Sequence, residues 1–135
     1  MTPYEIGRGE IGQKEIAGSA DNPRIVEYHQ ATSLKATNDE TPWCSAFVNW
    51  CYKQAGIKGT NSAAARSWLN WGKELKQPVE GCVVVLKRGA PPSGHVGFFV
   101  RQEGNLIYVL GGNQSDQVKV SAYKATDVLS YRQSA

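Results

Sequence analysis

The sequence predicts a single α+β domain in which N-terminal helices pack on a central antiparallel β-sheet. Up to Gly72 the apolar residues recur at helical spacing, whereas after Gly81 they form short β-rich runs separated by turn residues. Helices followed by strands, rather than alternating with them, are typical of this class. A chain of 135 residues with 41% hydrophobic content can fill one core, so we expect residues 1–135 to form one domain.

Helices are predicted at three places in the first half of the chain. Isoleucines spaced loosely for one apolar face, interrupted by Gly18 and by Asn22-Pro23, indicate two short helices around a turn. Thr41-Pro42 supplies an N-cap and a proline for the start of the next helix, and Gly56 supplies its stop. A further helix is expected over 62–71.

Strands are predicted over five segments of the second half. A two- or three-residue loop around Gly104 joins two of them as a hairpin. Segment 82–86 is a continuous apolar run, which predicts a strand covered on both faces. The segments are 82–86, 96–101, 106–110, 118–123 and 128–131.

Cys44 lies in the first turn of the helix that Thr41-Pro42 begins. Unpaired N–H groups and the positive end of the dipole at a helix N-terminus stabilise a thiolate, and the same N–H groups can donate to an oxyanion. Cys51 lies on the same apolar face seven residues later, and it and Cys82 are interpreted as core residues. Cys44 is therefore the candidate nucleophile.

His95 opens the strand Gly94-His95-Val96-Gly97, where the glycines leave room beside the imidazole. If the sheet packs on the Cys44 helix, thiol and imidazole can meet as nucleophile and base. His29, in the helical N-terminal third, is interpreted as a surface or capping residue.

The hairpin predicts which residue faces His95 from the next strand. A three-residue loop over 103–105 places Asn113 opposite His95, whereas a two-residue turn at Gly104-Asn105 places Gln114 there. Either side chain is an uncharged amide that can hold the imidazole by a hydrogen bond, as in papain-like enzymes. The choice between the two stays open at this point.

These motifs, in their order, resemble a known superfamily. The segments 39–48, 94–97 and 112–114 resemble the CHAP (cysteine, histidine-dependent amidohydrolase/peptidase) and NlpC-type cell-wall hydrolases, and the segments 15–16 and 22–25 resemble a small phage-associated, endolysin-like subgroup. The resemblance implies a papain-like fold and cleavage of an amide bond in peptidoglycan, either within the stem peptide or between muramic acid and L-alanine. On it, Cys44, His95 and Asn113 match the catalytic positions.

One departure from the superfamily is visible, because Gly81-Cys82 stands where relatives commonly carry Gly-Asp before the first central strand. Three further residues are predicted to line the substrate groove. Glu40 could meet an amine, Trp43 could stack on a sugar or peptide, and Gln114 lies at the same edge. For Glu40 and Trp43, helix-dipole complementation and core packing are the alternatives.

A zinc site is disfavoured, because Cys44 and Cys51 would lie about 10 Å apart along one helix, too far to share an ion or form a disulfide. We expect no metal and no cofactor. The formal charge of +3 is dispersed, which argues against nucleic acid as a partner. Met1–Gly12 lacks an apolar core, so neither a signal peptide nor membrane insertion is expected.

The endolysin-like resemblance implies a lysis enzyme, and the sequence leaves two alternatives open: an interbacterial toxin with the same chemistry, and a non-catalytic wall-binding module. A monomer made in the bacterial cytoplasm is expected to act at the cell wall after lysis-type release or secretion. A holin would be the partner of the lysis enzyme, and an immunity protein that of the toxin.

Overall fold

The computed structural model describes residues 1–16, 21–34, 43–91 and 93–135, and its α+β architecture confirms the predicted class. Three α-helices and a 3₁₀-helix precede all six strands of an antiparallel sheet. In chain order the elements are α1 (Pro3–Arg8), α2 (Pro23–His29), α3 (Cys44–Gln54), a 3₁₀-helix (Ala65–Asn70), β1 (Lys73–Leu75), β2 (Val83–Lys87), β3 (Gly94–Glu103), β4 (Leu106–Gln114), β5 (Gln117–Lys124), a 3₁₀ turn (Ala125–Asp127) and β6 (Val128–Gln133).

The strand order in the sheet is β1-β6-β2-β3-β4-β5. The five predicted strands are present as β2 to β6, each within a few residues of its expected bounds. The short β1 was not predicted, because Lys73-Glu74-Leu75 carries no alternating apolar pattern and pairs only with the edge of β6. Such a strand is defined by its partner rather than by its own residues.

Local capping explains where the helices begin and end. Thr2 and Glu5 form a capping box at α1, and the Asn22 side chain accepts from the N–H of Arg24 at α2. α3 begins at Cys44; the predicted cap at Thr41-Pro42 lies outside the described residues. As predicted, α3 stops next to Gly56, whose φ of +75° favours glycine.

The helix expected over 62–71 is shorter and more tightly wound than predicted. Only Ala65–Asn70 is helical, and it is a 3₁₀-helix. Ser67 Oγ donates to the carbonyl of Ala64 at 2.7 Å, and Ser62 Oγ accepts from the N–H of Ala64 at 3.1 Å. Serine side chains that bind nearby backbone groups compete with α-helical hydrogen bonds, which accounts for the difference.

Both faces of the sheet are buried, as the continuous apolar run of β2 predicts. Phe47 and Cys51 of α3 share one core with Val83, Val85 and Phe98 of the sheet. On the opposite face a second core contains Val84, Leu86, Phe99, Ile107 and Val109, and side chains of β1, β5 and β6 pack around it. α3 therefore packs on the face of the sheet that β3 and β4 form.

The β3–β4 hairpin opens at the end where α3 begins. Its turn has two residues, since Glu103 pairs with Leu106, and a bulge between Phe99 and Arg101 then shifts the register. The ladder reaches only to the pair Phe98–Leu110, so the first four residues of β3 lie beyond it. His95 is among those four residues.

His29 is a correction to the sequence interpretation. It lies in the last turn of α2, where a basic residue suits the helix dipole, but its side chain is completely buried rather than at the surface.

Candidate functional site

Cys44 is the first residue of α3 and faces the start of β3. The backbone N–H groups of Val96, Ser45 and Cys44 itself lie close enough to the sulfur to favour its thiolate form. The side chain is nearly buried, with 7% of its surface exposed. The thiol therefore lies beside Val96, the residue that follows His95. At this point β3 is no longer paired with β4, whose ladder ends at the pair Phe98–Leu110.

Burial keeps both candidate catalytic groups uncharged at rest. It raises the pKa of the Cys44 thiol, and the nearby N–H groups and the charge of Arg88 offset this only in part. Burial also lowers the pKa of His95 to about 4, although the hydrogen bond that its ring donates to Gln114 acts in the opposite direction. At neutral pH the pair is therefore a thiol and a neutral imidazole.

Gln114 holds the imidazole of His95 in one orientation. Its Oε1 lies 2.8 Å from His95 Nε2, while its Nε2 donates to the carbonyls of Val109 and Lys119. Those two bonds fix which end of the amide is the oxygen, so His95 Nε2 must be the donor and carries the proton. Nδ1 is then the basic nitrogen, and in the described part of the chain this buried atom has no hydrogen-bond partner.

Of the two amides that the sequence offered, the one bonded to the imidazole is Gln114. Asn113 is half-buried with a left-handed φ of +58°, and no hydrogen bond from it to the ring is found among the described residues. The cause lies in the backbone, because the register between β4 and β5 shifts between Gly111 and Gln114. This irregularity turns Gln114 towards His95.

Trp43 does not line an open groove. Its side chain is completely buried, its Nε1 donates to Glu15 Oε2 at 2.8 Å, and its ring stacks on Tyr28 with centroids 5.8 Å apart. A Cβ added to Gly112 would lie 2.6 Å from the indole, so the strand end packs directly on it. Core packing, the alternative weighed for Trp43, describes its position. Glu40 lies outside the described residues.

Two residues at the site carry no signal in the sequence. The ring of Tyr123 on β5 lies against His95, with centroids 5.3 Å apart and planes 33° apart. Arg88, one residue past the end of β2, reaches the Tyr123 hydroxyl. Their positions depend on the register of the strands, which the sequence does not give. For Arg88 the deciding pair is Leu86 with His95 across β2 and β3, which makes Arg88 a diagonal neighbour of His95.

The other two cysteines are core residues, as predicted. All three cysteines are free, and burial raises the pKa of Cys51 well above its ordinary value and raises that of Cys82. Within the described ranges, no group of three or more His, Cys, Asp or Glu side chains is placed to hold a metal ion. None of the helices in those ranges is long and apolar enough to cross a membrane.

A separate cavity of about 350 Å³ lies at the other end of α3, between that helix and the loop 56–61. Asn49, Lys53 and Lys58 line it, and none of the candidate catalytic residues does. The candidate catalytic residues lie instead at the edge formed by the start of α3 and the start of β3.

The chain matches a known protein family. The sequence profile of the CHAP domain matches residues 36–113, more than half of the chain. This chain belongs to the CHAP domain family. The matched range of this CHAP domain contains Cys44 and His95 and ends at Asn113, one residue before Gln114. No curated protein sequence matches the chain.

Two solved structures share the fold of this CHAP domain. One is a Staphylococcus aureus protein described as similar to a lipoprotein of the NLP/P60 family, with a TM-score of 0.55 and 15% identity; the alignment covers 99% of this chain and 41% of that one. The other is RipD from Mycobacterium tuberculosis, with the same TM-score and identity, covering 97% and 95%. RipD is described as a non-catalytic NlpC/p60 domain protein adapted to peptidoglycan binding. The CHAP/NlpC-type, papain-like fold expected from the sequence is thereby confirmed.

Proposed function

We propose that this CHAP domain hydrolyses an amide bond of bacterial peptidoglycan, with Cys44 as nucleophile and His95 as general base. Membership of the CHAP family supports a peptidoglycan-related function. The observation that supports the catalytic step is that the helix-start thiol of Cys44 lies beside the backbone N–H of Val96, the residue after His95, and that Gln114 holds the other nitrogen of the His95 ring, so that Nδ1 has no hydrogen-bond partner among the described residues. A binding module needs neither the thiol nor an oriented base.

The reaction begins with transfer of the Cys44 proton to His95 Nδ1 as the sulfur attacks the scissile carbonyl carbon. The backbone N–H groups at the start of α3 stabilise the negative charge on the carbonyl oxygen. His95 Nδ1 returns its proton to the leaving nitrogen as the C–N bond breaks, leaving a thioester. Water then attacks this thioester with Nδ1 as base, which releases the acid and restores the thiol.

Digestion of purified sacculi tests the proposal. The wild-type protein is expected to release fragments that carry one new amino group and one new carboxyl group for each cut, without new reducing sugar ends. Mass spectrometry of the fragments identifies the bond, in the stem peptide or between muramic acid and L-alanine. Sacculi that remain intact under conditions where the protein stays folded would contradict the enzymatic proposal.

Wall binding without hydrolysis is the second candidate, and one observation favours it: RipD, which shares this fold, is described as non-catalytic. The two functions separate in one assay, because a binding module would sediment with sacculi without releasing fragments.

For the biological setting we propose a monomeric lysis enzyme that reaches the wall after release from the cytoplasm. An injected toxin with an immunity protein is the alternative, and a holin gene beside this one would favour lysis.

We predict that Gln114 acts as a positioning residue for His95. Gln114→Leu removes the acceptor at Nε2, so the ring loses its fixed tautomer, and kcat should fall about 10- to 100-fold, part of what a general base contributes. Gln114→Glu should raise the pKa of His95, because a carboxylate favours the imidazolium, and shift the acidic limb of the rate profile to higher pH. Rates measured across pH test both effects.

Gln102→Leu is the matched control for Gln114. Gln102 is an exposed residue of β3 whose amide donates to the carbonyl of Gly104 and, among the described residues, does not contact His95. Its loss should leave kcat and the pH profile unchanged. A Gln114→Glu profile that superimposes on the wild-type profile would mean that the amide serves packing alone.

A further inference from the structure

Arg88 is a cation at the candidate site that the proposed mechanism does not use. It follows the last residue of β2, two residues after Leu86, which pairs with His95, so its backbone lies close to the start of β3. A long side chain can span the 7–8 Å that typically separates diagonal neighbours. Its guanidinium reaches the hydroxyl of Tyr123, whose ring lies against His95.

The guanidinium of Arg88 is also free to bind a ligand. Within residues 1–16, 21–34, 43–91 and 93–135, no carboxylate forms an ion pair with it, and the residue is exposed. Its neighbours are engaged elsewhere: Lys87 approaches Asp127 at 3.9 Å, and Arg66 Nε donates to the carbonyl of Ser93 at 2.6 Å. The planar fork of an arginine suits the two oxygens of a carboxylate.

The positive charge of Arg88 disfavours one step of the proposed reaction, the protonation of His95. Burial is the largest influence on the pKa values of Cys44, His95 and Tyr123, and the charge of Arg88 lowers all three. A lower pKa favours the thiolate but disfavours the imidazolium that must form beside it. An anion bound to Arg88 would offset the repulsion, so binding of a charged substrate and protonation of His95 would support each other.

We propose that Arg88 and the Tyr123 hydroxyl form a carboxylate-binding subsite beside Cys44, which selects peptides carrying a free carboxylate close to the scissile amide. This inference rests on the proposed peptidoglycan hydrolase function. Peptidoglycan stem peptides offer side-chain and terminal carboxylates, and conversion of these to carboxamides removes the charge while keeping the shape. The subsite therefore distinguishes acidic from amidated stem peptides.

Binding to the Cys44→Ala protein tests the subsite without relying on turnover. The probes are a synthetic stem tetrapeptide with free carboxylates and the same peptide with each carboxylate converted to a carboxamide. By calorimetry we expect the acidic peptide to bind at least about 10-fold more tightly, typical of a charge-assisted bidentate contact. In the double variant with Arg88→Gln this preference should disappear, and with Tyr123→Phe it should shrink while the ring stays against His95.

Lys87→Gln is the matched control, since it removes a cation one residue away that approaches Asp127 instead. It should keep the preference for the acidic peptide. Equal binding of the two peptides, or a preference that survives Arg88→Gln, would overturn the subsite. So would an Arg88→Gln enzyme whose kcat falls equally on acidic and amidated sacculi with KM unchanged, because Arg88 would then act on the thiol or the imidazole alone.

Failure of the subsite and failure of the hydrolase proposal give different results. Sacculi cleaved equally well in acidic and amidated form would leave the hydrolase standing and remove the subsite. Intact sacculi combined with Arg88-dependent binding of the acidic peptide would keep the subsite in a wall-binding protein.

Discussion

Replacing Cys44 with alanine is expected to abolish hydrolysis of sacculi, with a loss of at least about 10³-fold in kcat, as for other nucleophiles that form covalent intermediates. In the proposed mechanism the attacking atom is the Cys44 sulfur, and the N–H groups around it have no thiolate to stabilise once it is removed. The fold should persist, because the substitution removes one atom at a partly accessible edge of the core. Release of soluble fragments from sacculi measures the loss.

Cys51→Ala and Cys82→Ala are the matched controls for Cys44→Ala. Both cysteines are buried core residues away from the site, Cys51 seven residues further along α3 and Cys82 just before β2, at the opposite end of that strand from Leu86. Each variant should therefore lose stability, by about 1 kcal/mol for the small cavity, but retain its rate while folded. Cys44→Ala should still sediment with sacculi. A Cys44→Ala protein that clears walls as fast as the wild type would refute the mechanism.

Alkylation gives an independent check on the nucleophile. All three thiols are buried with raised pKa values, so iodoacetamide should react slowly, and it should reach Cys44 first because that sulfur lies beside N–H donors at an edge of the core. Peptide mapping by mass spectrometry identifies the modified residue. Earlier labelling of Cys51 or Cys82 would count against the assignment.

The local part of the site could be predicted from the sequence. The cysteine at a helix start and the histidine at a strand start each depend on a few neighbouring residues: Gly56 and the apolar face for α3, Gly94 and Gly97 for β3. α3 packs on the sheet because the apolar face of α3 and the apolar residues of β3 are buried against each other. Hydrophobic pattern and turn chemistry operate over short range, and this is why the elements carrying Cys44 and His95 agree with the structure.

The longer-range part of the site could not be predicted. Whether Asn113 or Gln114 meets His95 depends on a hairpin turn, a bulge at Val100 and a second irregularity after Gly111, and each shift of one residue exchanges the two faces. Tyr123 and Arg88 reach the site from β5 and β2, far from it in sequence. Trp43 precedes Cys44 in the sequence, but its contacts with Glu15 and Tyr28 bury its side chain in the core.

His95→Gln is expected to lower kcat by about 10³-fold and to change how stability depends on pH. A general base of this kind contributes roughly 10²- to 10⁴-fold, and glutamine cannot accept a proton. The pKa of His95 is lowered to about 4 by burial, below the ordinary 6.5 that it has in the unfolded chain. Between these values the unfolded chain binds a proton that the native protein does not, so stability falls as the pH drops from about 6.5 towards 4.

The size of that fall separates His95 from other titrating groups. A shift of this extent corresponds to about 3 kcal/mol, at 1.36 kcal/mol for each pH unit. Urea unfolding of the wild type should show this loss between pH 7 and pH 4, and His95→Gln should lack it while retaining the contributions of the other titrating groups. Because those contributions cancel in the difference, parallel stability curves for the two proteins would mean that His95 is not held neutral by the folded chain. Burial would then not lower the pKa of His95, and the imidazole would be neutral at neutral pH only because of its ordinary pKa.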